Sequence, residues 1–145
     1  MKIMAVDFGE ARTGLAVCDR TEFLASPVGV VHERDFETCV KKVAYAAVKE
    51  LDVGMVVVGL PKNMDGSLGP RAVLCDKFAR ALKALIPIPV VTWDERQTTM
   101  QAAAYLNELD VRGAKRKEVI DEVAATIILE SYLQYRKNQK EQGRE

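Results

Sequence analysis

The chain has 145 residues, 48% of them hydrophobic, with 21 basic and 21 acidic side chains. This is the size and composition of one globular domain. Its zero net charge supplies no overall pull toward nucleic acid, so any such binding has to come from a local patch. A single histidine, His32, excludes a His-rich zinc site and Ser-His-Asp chemistry. The three isolated cysteines, Cys18, Cys39 and Cys75, offer neither a disulfide framework nor a paired metal motif, and they read as reduced and mostly buried. No apolar run is long enough to span a bilayer. The opening stretch up to Asp7 puts a charge where a signal peptide needs its apolar segment, so a cytoplasmic location is expected. An enzyme of this composition has to work with carboxylates and a hard metal.

In chain order, residues 2–8 read as a strand, 9–12 as a turn, 13–18 as a second strand, Asp19-Arg20 as the next turn and 27–31 as a third strand. Short strands joined by tight turns suggest an antiparallel meander. The period then changes. Phe36, Val40, Val43, Ala44, Ala47, Val48 and Leu51 follow helical spacing. Residues 55–58 form a continuous apolar run closed by Gly59, the mark of a strand buried on both faces. A loop over 61–67 precedes a second helical pattern through Leu74, Phe78, Ala81, Leu82 and Leu85. Residues 89–93 read as another buried strand, 98–109 as a helix and 117–135 as a long last helix. One domain over 1–138 and a polar, frayed tail over 139–145 complete the reading. Helical crossovers require the first, fourth and fifth strands to pair in parallel. The expected fold is therefore α/β, a mixed five-stranded sheet with its first three strands antiparallel and helices on both faces.

Such sheets bind ligands beyond the carboxyl ends of their strands. Asp7 lies near the end of the first strand, and Asp94 and Glu95 follow the fifth. Clustered acids are unfavourable unless paired or bound to a cation, and Mg²⁺ takes oxygen ligands, often few carboxylates with water and phosphate completing the shell. A third acid is available on the last helix. There Ile120, Ala124, Ile127 and Ile128 define a buried stripe, with Asp121 near its edge and Glu122 pointing away into solvent. Each acid taken singly also has a plain structural role open to it, in a turn or in the first turn of a helix.

Four segments carry a family resemblance. The run Asp7-Phe8-Gly9-Glu10-Ala11-Arg12-Thr13-Gly14-Leu15-Ala16-Val17-Cys18-Asp19 resembles the opening signature of the YqgF (RuvX) family. Val57-Val58-Gly59-Leu60-Pro61-Lys62-Asn63-Met64-Asp65-Gly66 is similar to its second motif, and Asp94-Glu95-Arg96-Gln97-Thr98-Thr99 to its third. Lys115-Arg116-Lys117 followed by Ile120-Asp121-Glu122-Val123-Ala124-Ala125 is similar to its fourth. The motifs run in order from about residue 2 to Leu133. The resemblance implies a ribonuclease H-like fold with strand order 3-2-1-4-5, related to the Holliday junction resolvase RuvC. It implies a metal-dependent endonuclease that matures the 5′ end of the small-subunit ribosomal RNA precursor, with Mg²⁺ or Mn²⁺ held by Asp7, Glu95 and Asp121. The choice of Glu95 over Asp94 comes from the motif alone. Related resolvases carry a fourth acid one helical turn beyond the position of Asp121, where this chain has Ala124, which leaves one or two metals open.

Around these acids, Arg12, Lys62, Asn63, Arg71 and Arg96 are candidate nucleic-acid contacts. So is the basic cluster Lys115, Arg116 and Lys117, which Arg112 extends. Phe8, Trp93 and Tyr105 read as core aromatics rather than base-stacking platforms. The expected partners are RNA in preference to DNA and pre-ribosomal particles, with no membrane, and the protein acting as a monomer or weak homodimer. Two other readings compete: a DNA junction resolvase, which needs a dimer to cut symmetrically, and a non-catalytic RNA-binding module whose acids are structural. An actin-like nucleotide binder needs two such halves, and this chain has no internal repeat.

Overall fold

The computed structural model describes residues 1–97 and 113–143, with side chains described for 1–96 and 120–143. Five strands, β1 (Ile3–Asp7), β2 (Arg12–Cys18), β3 (Ala25–His32), β4 (Met55–Leu60) and β5 (Val90–Asp94), form one sheet in the order β3-β2-β1-β4-β5. β1 pairs antiparallel with β2, and β2 with β3, whereas β1–β4 and β4–β5 are parallel. This is the expected order and sense. The helices are α1 (Phe36–Tyr45), α2 (Pro70–Leu85) and α3 (Gly113–Gly143).

Strand parity divides the core. Met4, Val6, Phe8, Val56 and Val58 pack toward α1 and α2, where Phe8 stacks on Phe78 at 4.6 Å and meets Phe36 edge-on at 5.8 Å. Ile3, Ala5, Ala16, Cys18 and Val57 pack on the other face, against Ala125, Ile128, Leu129, Tyr132 and Leu133 of α3. Trp93 joins that second layer beside Tyr132 and Tyr135 and donates from Nε1 to Ser131 Oγ at 3.2 Å. Phe8 and Trp93 are thus packing residues, as expected. All three cysteines are buried and free.

Several boundaries depart from the sequence pattern. α1 passes into a π-helical turn over Ala46–Glu50, closed by Leu51 N–H donating to Ala46 O at 2.9 Å. β3 runs from Ala25 to His32, longer than expected, and tolerates Pro27 because it is an edge strand. α2 starts at Pro70, a residue suited to the first helical position, and leaves Leu85 half exposed. α3 remains helical to Gly143, where a frayed tail was expected. The helix expected over 98–109 lies outside the described residues, as does Tyr105. No described helix is long and apolar enough to cross a membrane.

Candidate active site

Asp7 ends β1 with the parity of Ile3 and Ala5, so its carboxylate falls on the α3 side of the sheet, where it is 7% exposed. Across the ladder it faces Gly14 of β2. A Cβ at Gly14 would stand 2.1 Å from the main-chain oxygen of Asp121. The absence of a side chain at Gly14 therefore lets α3 settle onto β2 directly opposite Asp7. The turn between β1 and β2 is equally tight. A Cβ at Gly9 would meet the Arg12 carbonyl oxygen at 2.3 Å, and Thr13 Oγ1 bonds both Gly9 N and Gly9 O at 3.3 Å.

Asp94 closes β5 with a parity opposite to that of Val91 and Trp93, which face α3, and Glu95 opens the 3-10 turn Glu95–Gln97 that follows. Above β4, Gly59 makes the room Glu95 needs, since a Cβ there would lie 2.5 Å from both Glu95 Oε2 and Ile128 Cδ1. Asp94 is engaged elsewhere. Arg96 grips both its carboxylate oxygens and reaches across to the carbonyls of Asn63 (3.5 Å) and Met64 (3.1 Å). The motif's preference for Glu95 thereby acquires a physical reason.

On α3 Ile127 and Ile128 are buried as expected, whereas Ile120 and Ala124 are only half-buried, and Ala125, Leu129 and Tyr132 complete the buried stripe. Stepping back four and seven residues from Ala125 and Ile128 lands on Asp121, so this acid heads the stripe rather than skirting it. Glu122 is half-buried instead of fully solvated. Gly14 admits the helix backbone at Asp121, which brings this turn of α3 directly onto β2.

Two arginines sit on these acids. Arg12 Nε donates to Asp121 Oδ2 at 2.9 Å, and Arg71, in the first turn of α2, donates from Nη2 to Asp7 Oδ1 at 3.4 Å and to Phe8 O at 3.2 Å. Both guanidiniums remain substantially open to solvent. Burial pushes Asp7 up to about 6, an effect that Arg71 opposes and Asp121 reinforces. Burial and the charge of Asp7 push Glu95 up to about 7, again against Arg71. Asp94 goes the other way, held below the usual carboxylate range by its bonds to Arg96. Buried Cys75, near the same cluster, is pushed up to about 12 and stays a thiol.

The remaining candidates divide. Asn63 closes the loop after β4, donating from Nδ2 to Ser67 Oγ at 3.0 Å and from its backbone to Ser67 O at 2.9 Å. Arg96 fastens that loop to the end of β5, so both residues shape the active edge. Lys62 stands in the same loop, half-buried and close enough to influence Asp94. A cavity of about 250 Å³ opens beside Arg71, lined by Phe8, Gly9, Glu10, Pro70 and Leu74. A larger hollow of about 520 Å³ lies between β3 and α1 and touches none of Asp7, Glu95 and Asp121. Lys115, Arg116 and Lys117 fall in the first turns of α3 with side chains outside the described ones, and Arg112 lies outside the described residues altogether.

Among the described residues, no three acids converge closely enough to hold a metal between them. The donor chemistry nevertheless fits a hard divalent cation. The cluster offers only oxygen, and two of its carboxyls are raised toward neutrality by burial, a strain that a bound cation relieves. Asp7 and Glu95 form the built half of such a site. Asp121 has its backbone in place and its carboxylate turned to Arg12.

The family model for RuvX, described as a Holliday junction resolvase, matches residues 1–135. The chain belongs to the RuvX family. A protein of Caldanaerobacter subterraneus subsp. tengcongensis is 44% identical over 139 residues, covering 95% of this chain and 99% of its own. One from Listeria monocytogenes is 45% identical over 137 residues, covering 92% and 97%. Both bear the name "Putative pre-16S rRNA nuclease". Among solved structures, Thermus thermophilus RuvC in complex with a Holliday junction substrate superposes with a TM-score of 0.60 at 13% identity, covering 95% of this chain and 96% of that one. The yeast mitochondrial Holliday junction resolvase Ydc2 gives 0.55 at 10% identity, covering 97% and 83%. These likenesses establish the ribonuclease H-like fold. Neither Gly14 nor Gly59 had a role assigned from the residues alone. A glycine inside a strand is the available signal, since it marks a close approach.

Proposed function

We propose that this RuvX protein is a metal-dependent phosphodiester hydrolase that matures the 5′ end of pre-16S ribosomal RNA in the cytoplasm. The observation that carries the reading is the pair Asp7 and Glu95, carboxylates that burial raises to about 6 and about 7 at the carboxyl ends of β1 and β5, with Asp121 seated opposite over Gly14. Placing acids at the adjacent carboxyl ends of β1 and β5 across β4 suits an active edge, and an isolated structural acid has no need of it. The names carried by the relatives favour RNA as substrate.

Asp7, Glu95 and, once turned inward, Asp121 would hold Mg²⁺ or Mn²⁺, which supplies an activated water and charge neutralisation at the phosphate. The chain's own residues do the rest. Arg12 and Arg71 border the acids with exposed guanidiniums able to take phosphate oxygens bidentately. Lys62 adds charge from the loop that Arg96 and Asn63 hold against the end of β5. Glu95, at about 7, can hold or release a proton near neutral pH. Lys115, Arg116 and Lys117, in the first turns of α3, would add positive charge for the nucleic-acid backbone.

The test is cleavage of a labelled single-stranded precursor end and of a labelled four-way DNA junction, each with Mg²⁺, Mn²⁺ or chelator. RNA is expected to be cut only with metal, and Asp7→Asn should lower the rate by roughly a thousandfold while leaving the far-ultraviolet spectrum intact. Cutting of the junction alone would establish the resolvase reading that the family description favours. Wild-type cutting by a folded Asp7→Asn protein would overturn the assignment.

A further inference from the structure

The cluster contains its own cations. Arg12 holds Asp121 at 2.9 Å and Arg71 holds Asp7 at 3.4 Å, so guanidinium charge already meets two of the acids that the metal-dependent reading requires. The two contacts are not interior struts. The Arg12 side chain is 37% exposed and that of Arg71 is 58% exposed, against 16% for Asp121 and 9% for Asp7, so in each pair the arginine is the more solvent-exposed partner. The main chain at Asp121 is pinned against Gly14, so only its side chain can move. Arg12 is on the same face of β2 as Gly14, two residues away, directly beside the carboxylate it holds.

We propose that Arg12, assisted by Arg71, is a placeholder cation that exchanges between the acids and the substrate. Arg12 holds the Asp121 carboxylate through Nε at 2.9 Å, so a cation that takes this acid has to displace the guanidinium. When a divalent cation binds, Asp121 turns inward and the released guanidinium meets a phosphate oxygen of the nucleic acid. Metal and nucleic acid therefore bind with positive coupling, because each frees the group the other needs. The inference rests on the metal-dependent reading and adds the order built into it: either ligand alone has to displace an ion pair, and the second finds it already broken.

The experiment measures Mn²⁺ binding by electron paramagnetic resonance, with no nucleic acid and again with a saturating single-stranded 2′-O-methyl RNA decamer that resists cleavage. Wild type, Arg12→Gln, Arg12→Lys and Asp7→Asn are compared, each checked for folding by circular dichroism. In the wild type the decamer should tighten Mn²⁺ binding by about tenfold. In Arg12→Gln, Mn²⁺ alone should bind several-fold more tightly than in the wild type, the decamer more weakly, and the coupling should fall to near unity. Arg12→Lys should keep part of the coupling, as a point charge without the planar fork. If Arg12→Gln binds Mn²⁺ no better than the wild type, while Asp7→Asn loses it, Arg12 is a strut for Asp121 and the exchange is overturned with the metal site standing. If the wild type binds no Mn²⁺ in either condition, the metal-dependent reading falls and the exchange with it.

Discussion

Two groups of acids at opposite ends of the sheet have opposite electrostatics. At the end where β1 begins, Glu22 takes two bonds from Arg136 (2.7 and 3.1 Å) and one from the N-terminal ammonium (3.2 Å), with Lys140 at 3.6 Å. Those bonds hold its carboxyl down at about 2. At the end where β1 finishes, Asp7 and Glu95 share the influence of Arg71 and are raised to about 6 and about 7, chiefly by desolvation. Surplus cation makes an acid a clasp between the β2–β3 turn and α3. Surplus anion makes an acid a site, because the folded protein keeps an unfavourable charge that a ligand can relieve.

The sharpest way to break the comparison is to spoil the close approach that builds the acidic end. Gly14→Ala puts a methyl group against the backbone oxygen of Asp121, which has no flexible end to give way. The expected outcome is a loss of about 3 kcal/mol in urea unfolding, together with loss of cleavage. Gly59→Ala crowds only the tips of Glu95 and Ile128. It should leave stability nearly unchanged, within about 1 kcal/mol, and still depress cleavage by displacing the Glu95 carboxylate.

Glu22→Gln tests the other end. A carboxyl held at about 2 stabilises the fold fully above its unfolded value near 4.5 and loses that contribution as the pH falls toward 2. The substitution should remove roughly 2 kcal/mol at pH 7 with cleavage retained, and the difference from wild type should narrow in melts run below pH 4.5. An undiminished gap at pH 2.5 would show that the clasp does not act through charge.

Asp7 and Glu95 carry the reverse sign and the smallest effect. Their carboxyls are raised on folding, so between about pH 4 and 7 the native state holds more protons than the unfolded chain, and stability declines as the pH rises through that window. Metal-free protein should melt lower at pH 8 than at pH 5, and Mg²⁺ should restore part of the loss. Glu95→Gln should flatten the decline and stabilise the metal-free protein at pH 8 by roughly 1 kcal/mol while removing activity. A steeper decline in the variant would contradict the burial of that charge.

What the sequence determined by itself is whatever local pattern and chain connectivity dictate. Apolar runs too short for helices, tight turns between the first three and helical stretches between the later ones dictated an antiparallel meander and parallel pairing of the later strands, and the family resemblance supplied the strand order. Asp7 and Glu95 were readable as strand-end acids. The motif, not the strand period, selected Glu95 over Asp94, since β5 ends at Asp94 and Glu95 begins a 3-10 turn. Only the tertiary structure decided the rest, because it depends on contacts between residues far apart in the chain. The close seating of α3 at Asp121 depends on a glycine 107 positions upstream, Gly14, which lets the helix backbone meet β2. Arg12 meets an acid 109 positions away, and Arg96, which resembled a nucleic-acid contact, is held by Asp94 and the carbonyls of the loop after β4. Charge and hydrogen bonding act over a few ångströms in space, so residue type and spacing reveal which groups can meet, and the packing of α3 on the sheet selects which of them do.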